Sequence, residues 1–336
     1  MTFRILSCDG GGIRGLITAL LIQNLDESFG IVEKTDGFAG TSTGALIALA
    51  LASGIPLDGI VNIYLNDGSN IFVPNGELRA RNAKRPVAGR KANLRTFGSG
   101  PGALECHYKD TGLSALVETL FKEQRLRDLK PYVAVNAAQL WDGRSWKGVT
   151  LSNSARNEYR DVFVKDAALA TSAAPTYFPP HRVGSFGYFA DGATFANNPS
   201  MSAISDAMAS GYVNSVADFR VLSLGTGYVR QGIPPKDIGD PLTWGAVRWM
   251  WPFPYNSVVP PMPLLELFMA ATSAAITTEA RNLLGPNFAR GDVLLKQAVG
   301  LDEWKKVKVL KRLTEVYIKS ADWEKVRDWV ANYWLK

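Results

Sequence analysis

The order of apolar and polar positions divides most of the chain into strand, turn and helix units. Apolar runs with the length and composition of buried strands occur at residues 3–7, 131–141 and 219–227. Helical spacing of apolar positions begins at Leu16 and again directly after the turn at residues 40–44. Because these strands alternate with helices, the sequence predicts a layered α/β fold around a mostly parallel sheet.

Two segments do not follow this pattern. Residues 79–95 contain seven lysines or arginines and no acidic residue, and residues 241–264 combine three tryptophans with six prolines. Such composition is typical of connections that lie over a fold and outside its sheet. We therefore expect one domain over residues 1–336, with insertions at about 70–105 and 230–262.

The end of the chain has the pattern of an amphipathic helix within a helical tail at about 300–336. Its apolar positions at helical spacing are Trp323, Val326, Val330, Tyr333 and Trp334. We interpret this stripe as a surface that docks on the core. A contact in a homodimer, or a regulatory contact, is the alternative.

Composition narrows the class of protein. The chain has 336 residues, of which 46% are hydrophobic and 20% are charged, as in ordinary globular proteins. Its most apolar region, residues 258–276, contains Glu266 and several prolines, so no membrane span is predicted. The first residues lack a charged segment that leads into a long apolar one. The sequence therefore predicts a cytoplasmic protein.

Charge and cysteine content exclude further classes. The chain has 37 basic and 31 acidic residues, a net charge of +6 that is too diffuse to indicate a nucleic acid polymer as partner. It favours an anionic partner such as a phospholipid surface. Cys8 and Cys106 are too few for a disulfide framework and lack the spacing of a zinc site. We expect reduced thiols, with Cys8 in the core, and no metal.

A glycine-rich turn follows the first predicted strand. Its pattern, Gly10-x-Gly12-x-x-Gly15, matches the fingerprint of dinucleotide-binding proteins and has the expected position between a strand and a helix. The acidic residue that this motif requires would be Glu33 or Asp36. A nucleotide-dependent oxidoreductase is therefore one hypothesis. The alternative is that the glycines only allow close packing of strand and helix.

A second turn, Gly40-Thr41-Ser42-Thr43-Gly44, has the G-x-S-x-G pattern between a strand and a helix. In this context the serine lies on a sharp turn at the helix N-terminus, where the helix dipole favours developing negative charge. The flanking glycines leave room for the strained backbone. A plain Ser/Thr N-cap is the alternative interpretation of this turn.

A nucleophilic serine needs a base. The sequence has only two histidines, His107 and His181, and neither follows Ser42 in the position that an ordinary α/β-hydrolase requires. We interpret both as loop or surface residues. Asp191 is the better candidate, because it follows an aromatic strand-like run and a buried carboxylate can have a raised pKa. A simple Asp-Gly hairpin turn is the alternative.

Taken together and in this order, the motifs resemble those of the patatin-like phospholipases. The resemblance covers residues 3–228. Its main motifs are D-G-G-G-I-R-G at 9–15, G-T-S-T-G at 40–44 and D-G-A at 191–193, and its supporting stretches are residues 168–180, 197–200 and 223–227.

The resemblance implies a three-layer fold and a lipid acyl hydrolase of the phospholipase A type that needs no cofactor. Ser42 would attack an ester carbonyl, Asp191 would accept its proton, and Arg14 would add positive charge or fix the glycine turn. The backbone amides that would hold the oxyanion are those of Gly10, Gly11 and Gly12. A catalytically inactive lipid-binding protein with this fold is a further alternative.

The resemblance also suggests how the protein meets its partners. Residues 79–95 and 241–264 are candidates for charge attraction and aromatic anchoring at the inner face of a membrane. Short bacterial proteins of this family resemble effectors of antiviral signalling, in which a cyclic nucleotide switches on membrane degradation. A cyclic-nucleotide activator is therefore a further expectation.

Overall fold

The fold was analysed in a computed structural model that describes residues 2–75, 105–250, 259 and 263–336. The basic run at residues 79–95 and part of the Trp/Pro-rich segment lie outside these residues. The strands are β1 (Phe3–Cys8), β2 (Gly37–Thr41), β3 (Val73–Pro74), β4 (Tyr108–Lys109), β5 (Tyr132–Gln139), β6 (Lys147–Ser152), β7 (His181–Val183), β8 (Gly187–Asp191), β9 (Phe219–Leu224) and β10 (Phe288–Gly291).

Helices of very different length connect these strands. They are α1 (Gly15–Phe29), α2 (Thr43–Ala52), α3 (Leu57–Asn66), α4 (Gly68–Ile71), α5 (Thr111–Phe121), α6 (Val164–Thr171), α7 (Ala193–Ala196), α8 (Ser200–Ala209), α9 (Pro235–Ile238), α10 (Ala246–Met250), α11 (Pro263–Leu284), α12 (Val307–Ile318) and α13 (Ala321–Trp329). The predicted strands and the first two predicted helices are confirmed.

Among the described residues, the main sheet has eight strands in the order β10-β9-β1-β2-β5-β8-β7, with β6 also paired to β5. The pairs β10–β9, β9–β1, β1–β2 and β2–β5 are parallel. The strands β6, β7 and β8 pair in antiparallel fashion at the other end of the sheet. The predicted α/β fold with a mostly parallel sheet is confirmed.

The sheet has a buried apolar core on each face. In β1, Leu6 packs into the core that includes α1, α2 and α12, whereas the neighbouring Ile5 packs into the core that includes α8 and α11. Both side chains are fully buried. Because successive strand residues point to opposite faces, this arrangement gives three layers, helix, sheet and helix.

The end of the chain docks on the first of these cores. Trp323, Val326, Val330 and Trp334 are buried there, as predicted. Tyr333 is 39% exposed, so its predicted place in the buried stripe is wrong. The final turn, Val330–Trp334, is π-helical, and its wider spacing changes which side chains share a face.

Helix α11, the longest within the described residues, was not predicted from the sequence. Its helical pattern is weak because it mixes apolar, small and charged residues, and because several prolines precede it. No helix within the described part of the chain is long and apolar enough to span a membrane. The predicted insertions and the single-domain organisation stay predictions.

Candidate active site

Ser42 lies on a strained turn between β2 and α2. Its φ of 53° and ψ of −125° are rarely adopted by residues with a side chain. The two flanking glycines are needed for close approach. A Cβ on Gly44 would lie 2.1 Å from the carbonyl oxygen of Cys8, and one on Gly40 would lie 2.3 Å from the amide nitrogen of Ala45. The chain can therefore turn sharply enough to present the Ser42 side chain.

Strand β5 brings this turn close to Asp191. Asn136 of β5 pairs with Thr41 at the end of β2, and the next residue, Ala137, pairs with Asp191 at the end of β8. Strand β6 pairs with residues 134–139 along one edge of β5. Strands β2 and β8 therefore both pair along the opposite edge, β2 with residues 132–136 and β8 with residues 137–139. The ends of these two strands therefore meet, although Ser42 and Asp191 are far apart in sequence.

Side-chain hydrogen bonds hold the Ser42 turn. The Ser42 amide donates to the Thr171 hydroxyl oxygen at 2.8 Å, and that hydroxyl donates to the Asn136 carbonyl at 2.6 Å. The Thr41 hydroxyl donates to the Ala196 carbonyl at 2.8 Å. The turn is thus tied to β5 and to α6, which carries Thr171.

Asp191 is buried and is only 2% exposed. Burial raises the pKa of its carboxyl to about 7, and hydrogen bonds from the Ser42 side chain and the Ala193 amide partly oppose that rise. The Ala193 amide donates to Asp191 at 2.8 Å. A carboxyl with this pKa can take up and release a proton near neutral pH.

The glycine turn after β1 lies on the other side of the same site. The Gly10 amide donates to the Asn197 carbonyl at 3.1 Å, which removes it from the predicted set of oxyanion donors. The amides of Gly11 and Gly12 have no hydrogen-bond partner among the described residues. Both glycines line the same cavity as Ser42 and Asp191. These two amides are therefore available to a bound oxygen atom.

Arg14 supports the glycine turn from behind. Its side chain donates to the carbonyl oxygens of Gly11, at 3.3 Å, and Gly227, at 3.5 Å. Burial lowers the pKa of the guanidinium, and Glu266 and other groups partly oppose this. Arg14 does not line the cavity. Of its two expected roles, the geometry favours fixing the turn.

A buried ionic cluster lies next to this turn, and sequence reasoning did not find it. Arg290 of β10 donates to both carboxyl oxygens of Asp9, at 3.3 and 2.7 Å, and to Asp292 at 2.7 Å. Burial raises the pKa of Asp9 to about 6, and Arg290 opposes the rise. An aspartate between an apolar strand and a glycine turn signals the need for a partner, but the sequence does not identify Arg290.

The catalytic candidates lie beside an apolar cavity of about 360 Å³. Most of its wall consists of aliphatic and aromatic side chains. They include Ile13, Leu46, Ile71, Phe72, Leu113, Phe178, Met250, Leu264, Phe268, Met269 and Leu301. A cavity of this chemistry, with a few convergent polar groups at one side, suits the hydrocarbon chain of an ester.

The two histidines lie outside this cavity. His181 contacts Asp166 at 3.1 Å, and His107 stacks on Tyr177 with ring centroids 5.4 Å apart. His107 lies in a connection, in agreement with its interpretation as a loop or surface residue, whereas His181 is the first residue of β7 and is partly buried, so that interpretation is wrong for His181. Within the described residues, no group of three or more histidine, cysteine or acidic side chains could hold a metal ion.

The acidic candidates of the dinucleotide hypothesis are in the wrong place. Asp36 precedes β2 and accepts a hydrogen bond from the Arg4 amide at 2.8 Å. Since β1 and β2 are parallel, Asp36 lies at the end of the sheet opposite to the glycine turn. Glu33 is exposed in the turn before it. Neither is placed to contact a ribose beside the glycine turn, as that motif requires.

Comparison with known proteins identifies the class. Residues 6–204 match the family model described as patatin-like phospholipase, and the chain belongs to this family. This membership and the positions of Glu33 and Asp36 argue against the oxidoreductase hypothesis.

Several relatives can be named. The chain is 31% identical to a cGAMP-activated phospholipase of Vibrio cholerae, over 66% of this chain and 64% of that protein. It is 28% identical to a cGAMP-activated phospholipase of Pseudomonas aeruginosa, over 93% of this chain and 84% of that protein. It is 29% identical to Patatin-like protein 1 of Oryza sativa, over 86% of this chain and 72% of that protein. The alignment thus spans less than two thirds of the Vibrio relative.

Proposed function

We propose that this protein is a lipid acyl hydrolase that cleaves carboxylic esters of membrane phospholipids. The observation that carries the proposal is the convergence of three features at one apolar cavity. These features are a serine on a strained turn, a buried carboxyl with a pKa of about 7, and two glycine amides that have no hydrogen-bond partner in the described part of the chain. Family membership supports the same activity.

In the first half of the reaction, the Ser42 oxygen attacks the ester carbonyl carbon while Asp191 accepts the hydroxyl proton. The negative charge that develops on the carbonyl oxygen is held by the amides of Gly11 and Gly12. As the tetrahedral intermediate collapses, Asp191 returns the proton to the leaving alcohol oxygen. The products are a lysophospholipid and an acyl-enzyme on Ser42.

In the second half, water attacks the acyl-enzyme. Asp191 accepts a proton from the water molecule, and the same two amides hold the new oxyanion. The proton then passes to the Ser42 oxygen as its bond to the acyl carbon breaks. Free fatty acid leaves and the enzyme is restored, with no group required beyond those of the chain and the substrate.

A fluorophosphonate probe tests the nucleophile directly. We expect the probe to label the wild-type protein at Ser42, and Ser42→Ala to lose both labelling and fatty-acid release from phospholipid vesicles. Ser172→Ala is the matched control, because Ser172 lines the same cavity. Labelling that persists in Ser42→Ala and disappears in Ser172→Ala would make the assignment wrong. A folded wild-type protein without either activity would favour an inactive lipid-binding protein.

We further propose a membrane-contact surface beside the cavity, formed by Leu242, Val247, Met250, Leu267 and Phe268. All five side chains are exposed. Met250 and Phe268 also line the cavity, so this apolar surface continues into the site. A phospholipid ester lies at the level of the interface, and contact with exposed apolar side chains would bring it to Ser42 without full extraction of the lipid.

The surface can be tested with residues that do not line the cavity. We expect Leu242→Ser/Val247→Ser/Leu267→Ser to weaken sedimentation with phospholipid vesicles and to lower fatty-acid release from them. Hydrolysis of a short-chain ester in solution should stay unchanged. Val309→Ser/Val316→Ser removes two exposed apolar side chains of α12 and is the matched control. Equal losses in both variants would remove this proposal and leave the hydrolase proposal intact.

A second proposal concerns control of the activity. The bacterial relatives described above are cGAMP-activated phospholipases, and this supports a cyclic-nucleotide activator for this chain. Addition of cGAMP should raise fatty-acid release and raise the melting temperature. A melting temperature and an activity that both stay unchanged with cyclic di- and trinucleotides would contradict the proposal.

A further inference from the structure

A tight turn near the end of the chain contacts the glycine turn. The carbonyl oxygen of Leu301 accepts a hydrogen bond from the Ile13 amide at 2.8 Å. This oxygen lies so close to Gly12 that a Cβ there would be only 2.2 Å away. Leu301 also lines the cavity. The position of Leu301 therefore determines where the Gly12 amide, directly before Ile13, can lie.

Hydrogen bonds hold this turn in place. Within it, the Gly300 amide donates to the Glu303 carboxyl at 2.7 Å, and the Trp304 amide donates to the Asp302 carbonyl at 2.8 Å. From outside it, the Tyr108 hydroxyl donates to the Asp302 carboxyl at 2.5 Å. Burial and the nearby Asp302 carboxyl raise the pKa of Tyr108, so its hydroxyl stays a donor.

Tyr108 is itself fixed to another part of the cavity wall. Its amide donates to the Tyr177 carbonyl at 2.9 Å. Its ring packs against Phe72 and Phe178, with centroid distances of 5.3 and 5.8 Å. Tyr177, Phe72 and Phe178 all line the cavity. The hydroxyl thus joins two parts of the wall through a hydrogen bond between Tyr108 and Asp302, which are 194 residues apart in the chain.

We propose that Tyr108 and Asp302 are positioning residues for the oxyanion donors. Their hydrogen bond holds the turn that carries Leu301, and the Leu301 carbonyl holds the Ile13 amide and the adjacent Gly12. Neither side chain touches the reacting atoms. The inference rests on the proposed function only for its effect on turnover, because the link between the turns is a structural property.

Tyr108→Phe removes only the hydroxyl and is the direct test. We expect kcat on a short-chain ester to fall about tenfold with little change in KM, because the loosened donors matter most when the oxyanion forms. Tyr159→Phe is the matched control: Tyr159 is a buried tyrosine whose hydroxyl donates to Gln139 at 3.1 Å, away from the cavity. It should keep the wild-type kcat.

The partner residue provides a second arm of the kinetic test. Asp302→Ala should lower kcat by the same factor as Tyr108→Phe, and the double variant should be no slower than either single one. Asp302→Asn keeps an oxygen acceptor and should retain most of the rate. Additive losses in the double variant would contradict a role through one shared hydrogen bond.

Hydrogen exchange tests the link without any need for activity. The amide of Ile13 should exchange about tenfold faster in Tyr108→Phe than in wild type, since its acceptor, the Leu301 carbonyl, is then less firmly held. Tyr159→Phe should leave this exchange unchanged. An Ile13 exchange rate within twofold of wild type in Tyr108→Phe overturns the inference, whether or not the protein hydrolyses esters. Faster exchange without hydrolysis by wild type would contradict only the proposed function.

Discussion

The serine turn and the glycine turn face the same cavity but are held in different ways. The serine turn joins β2 to α2, and its proposed base lies at the end of β8, which shares an edge of β5 with β2. The glycine turn is held by side chains and carbonyls that come much later in the chain. They are those of Asn197, Thr226, Arg290 and Leu301.

The difference teaches which part of the site is built into the sheet. Strand register brings the ends of β2 and β8 to neighbouring residues of β5, so Ser42 and Asp191 come together there, and hydrogen bonds with Thr171 and Ala196 then hold the serine turn. The amides of Gly11 and Gly12 depend on polar contacts between distant segments, each of which can be weakened separately. We expect losses at the serine turn to abolish the chemistry, and losses around the glycine turn to reduce it by degrees.

Asp191→Asn should have the largest effect on turnover. The loss of a general base should lower kcat about 10²-fold to 10⁴-fold.

The free energy of unfolding of Asp191→Asn should change in the opposite direction and exceed that of wild type at alkaline pH. Since burial raises the pKa of Asp191 to about 7, the contribution of Asp191 to the stability of wild type falls as pH rises from the unfolded-state pKa of this carboxyl through 7. Thermal melts should show Asp191→Asn more stable than wild type at pH 8 and equal to it near pH 4. A lower melting temperature at pH 8 would contradict the assignment.

Arg290→Met should have the largest effect on stability. It leaves Asp9 buried without its cation, which should lower the free energy of unfolding by about 3–5 kcal/mol at pH 8. The loss should be smaller at pH 5, where Asp9 can take up a proton. Denaturant unfolding at pH 8 and at pH 5 measures the two losses of unfolding free energy. Asp9→Asn/Arg290→Met should recover part of the loss, and a double variant as unstable as Arg290→Met would mean that Asp9 is not the reason.

Gly12→Ala should reduce turnover without abolishing it. Gly12 has a φ of +57° and lies against the Leu301 carbonyl, so an added methyl group must displace the turn. Loss of one well-placed oxyanion donor corresponds to about 100-fold in kcat. Gly184→Ala is the control, because Gly184 also has a positive φ of 45° but no atom within 4 Å of its Cβ position. Similar kcat values for the two variants would show that the Gly12 turn does not act in the reaction.

The smallest effects on turnover are expected for the histidine variants. Their pH profiles should distinguish a carboxyl base from a histidine base. With Asp191 as base, kcat/KM should rise about tenfold per pH unit below its pKa of about 7 and level off above it. His107→Gln and His181→Gln should keep this profile. Loss of the rising limb in either folded histidine variant would assign the proton acceptor to that histidine.

The sequence was informative where a function needs neighbouring residues. Positions 40–44 and 10–12 predicted the two turns, because a strand, a glycine and a helix at fixed spacing leave few other conformations. A short apolar run predicted the strand that precedes the glycine turn. The helix Pro263–Leu284, the longest in the described part of the chain, was missed because its local pattern is weak and packing against the core stabilises it.

Several site features could not be read from the sequence. Asp9 and Arg290 are 281 residues apart, and no local rule selects that arginine from the many in the chain. The sequence predicted three oxyanion amides, and the structure leaves two available, because the Gly10 amide donates to the Asn197 carbonyl. Such choices depend on which polar groups come within hydrogen-bond distance after the chain has packed.

By itself, the sequence determined the family, the α/β class and the candidate nucleophile and base, since these depend on motifs that local backbone geometry requires. Only the tertiary structure decided which glycine amides are available, which cation neutralises Asp9 and which residues line the cavity. The physical reason is the distance along the chain over which each interaction acts. Turn and strand preferences act over a few residues, whereas hydrogen bonds and ion pairs are selected by proximity in space, and proximity exists only after folding.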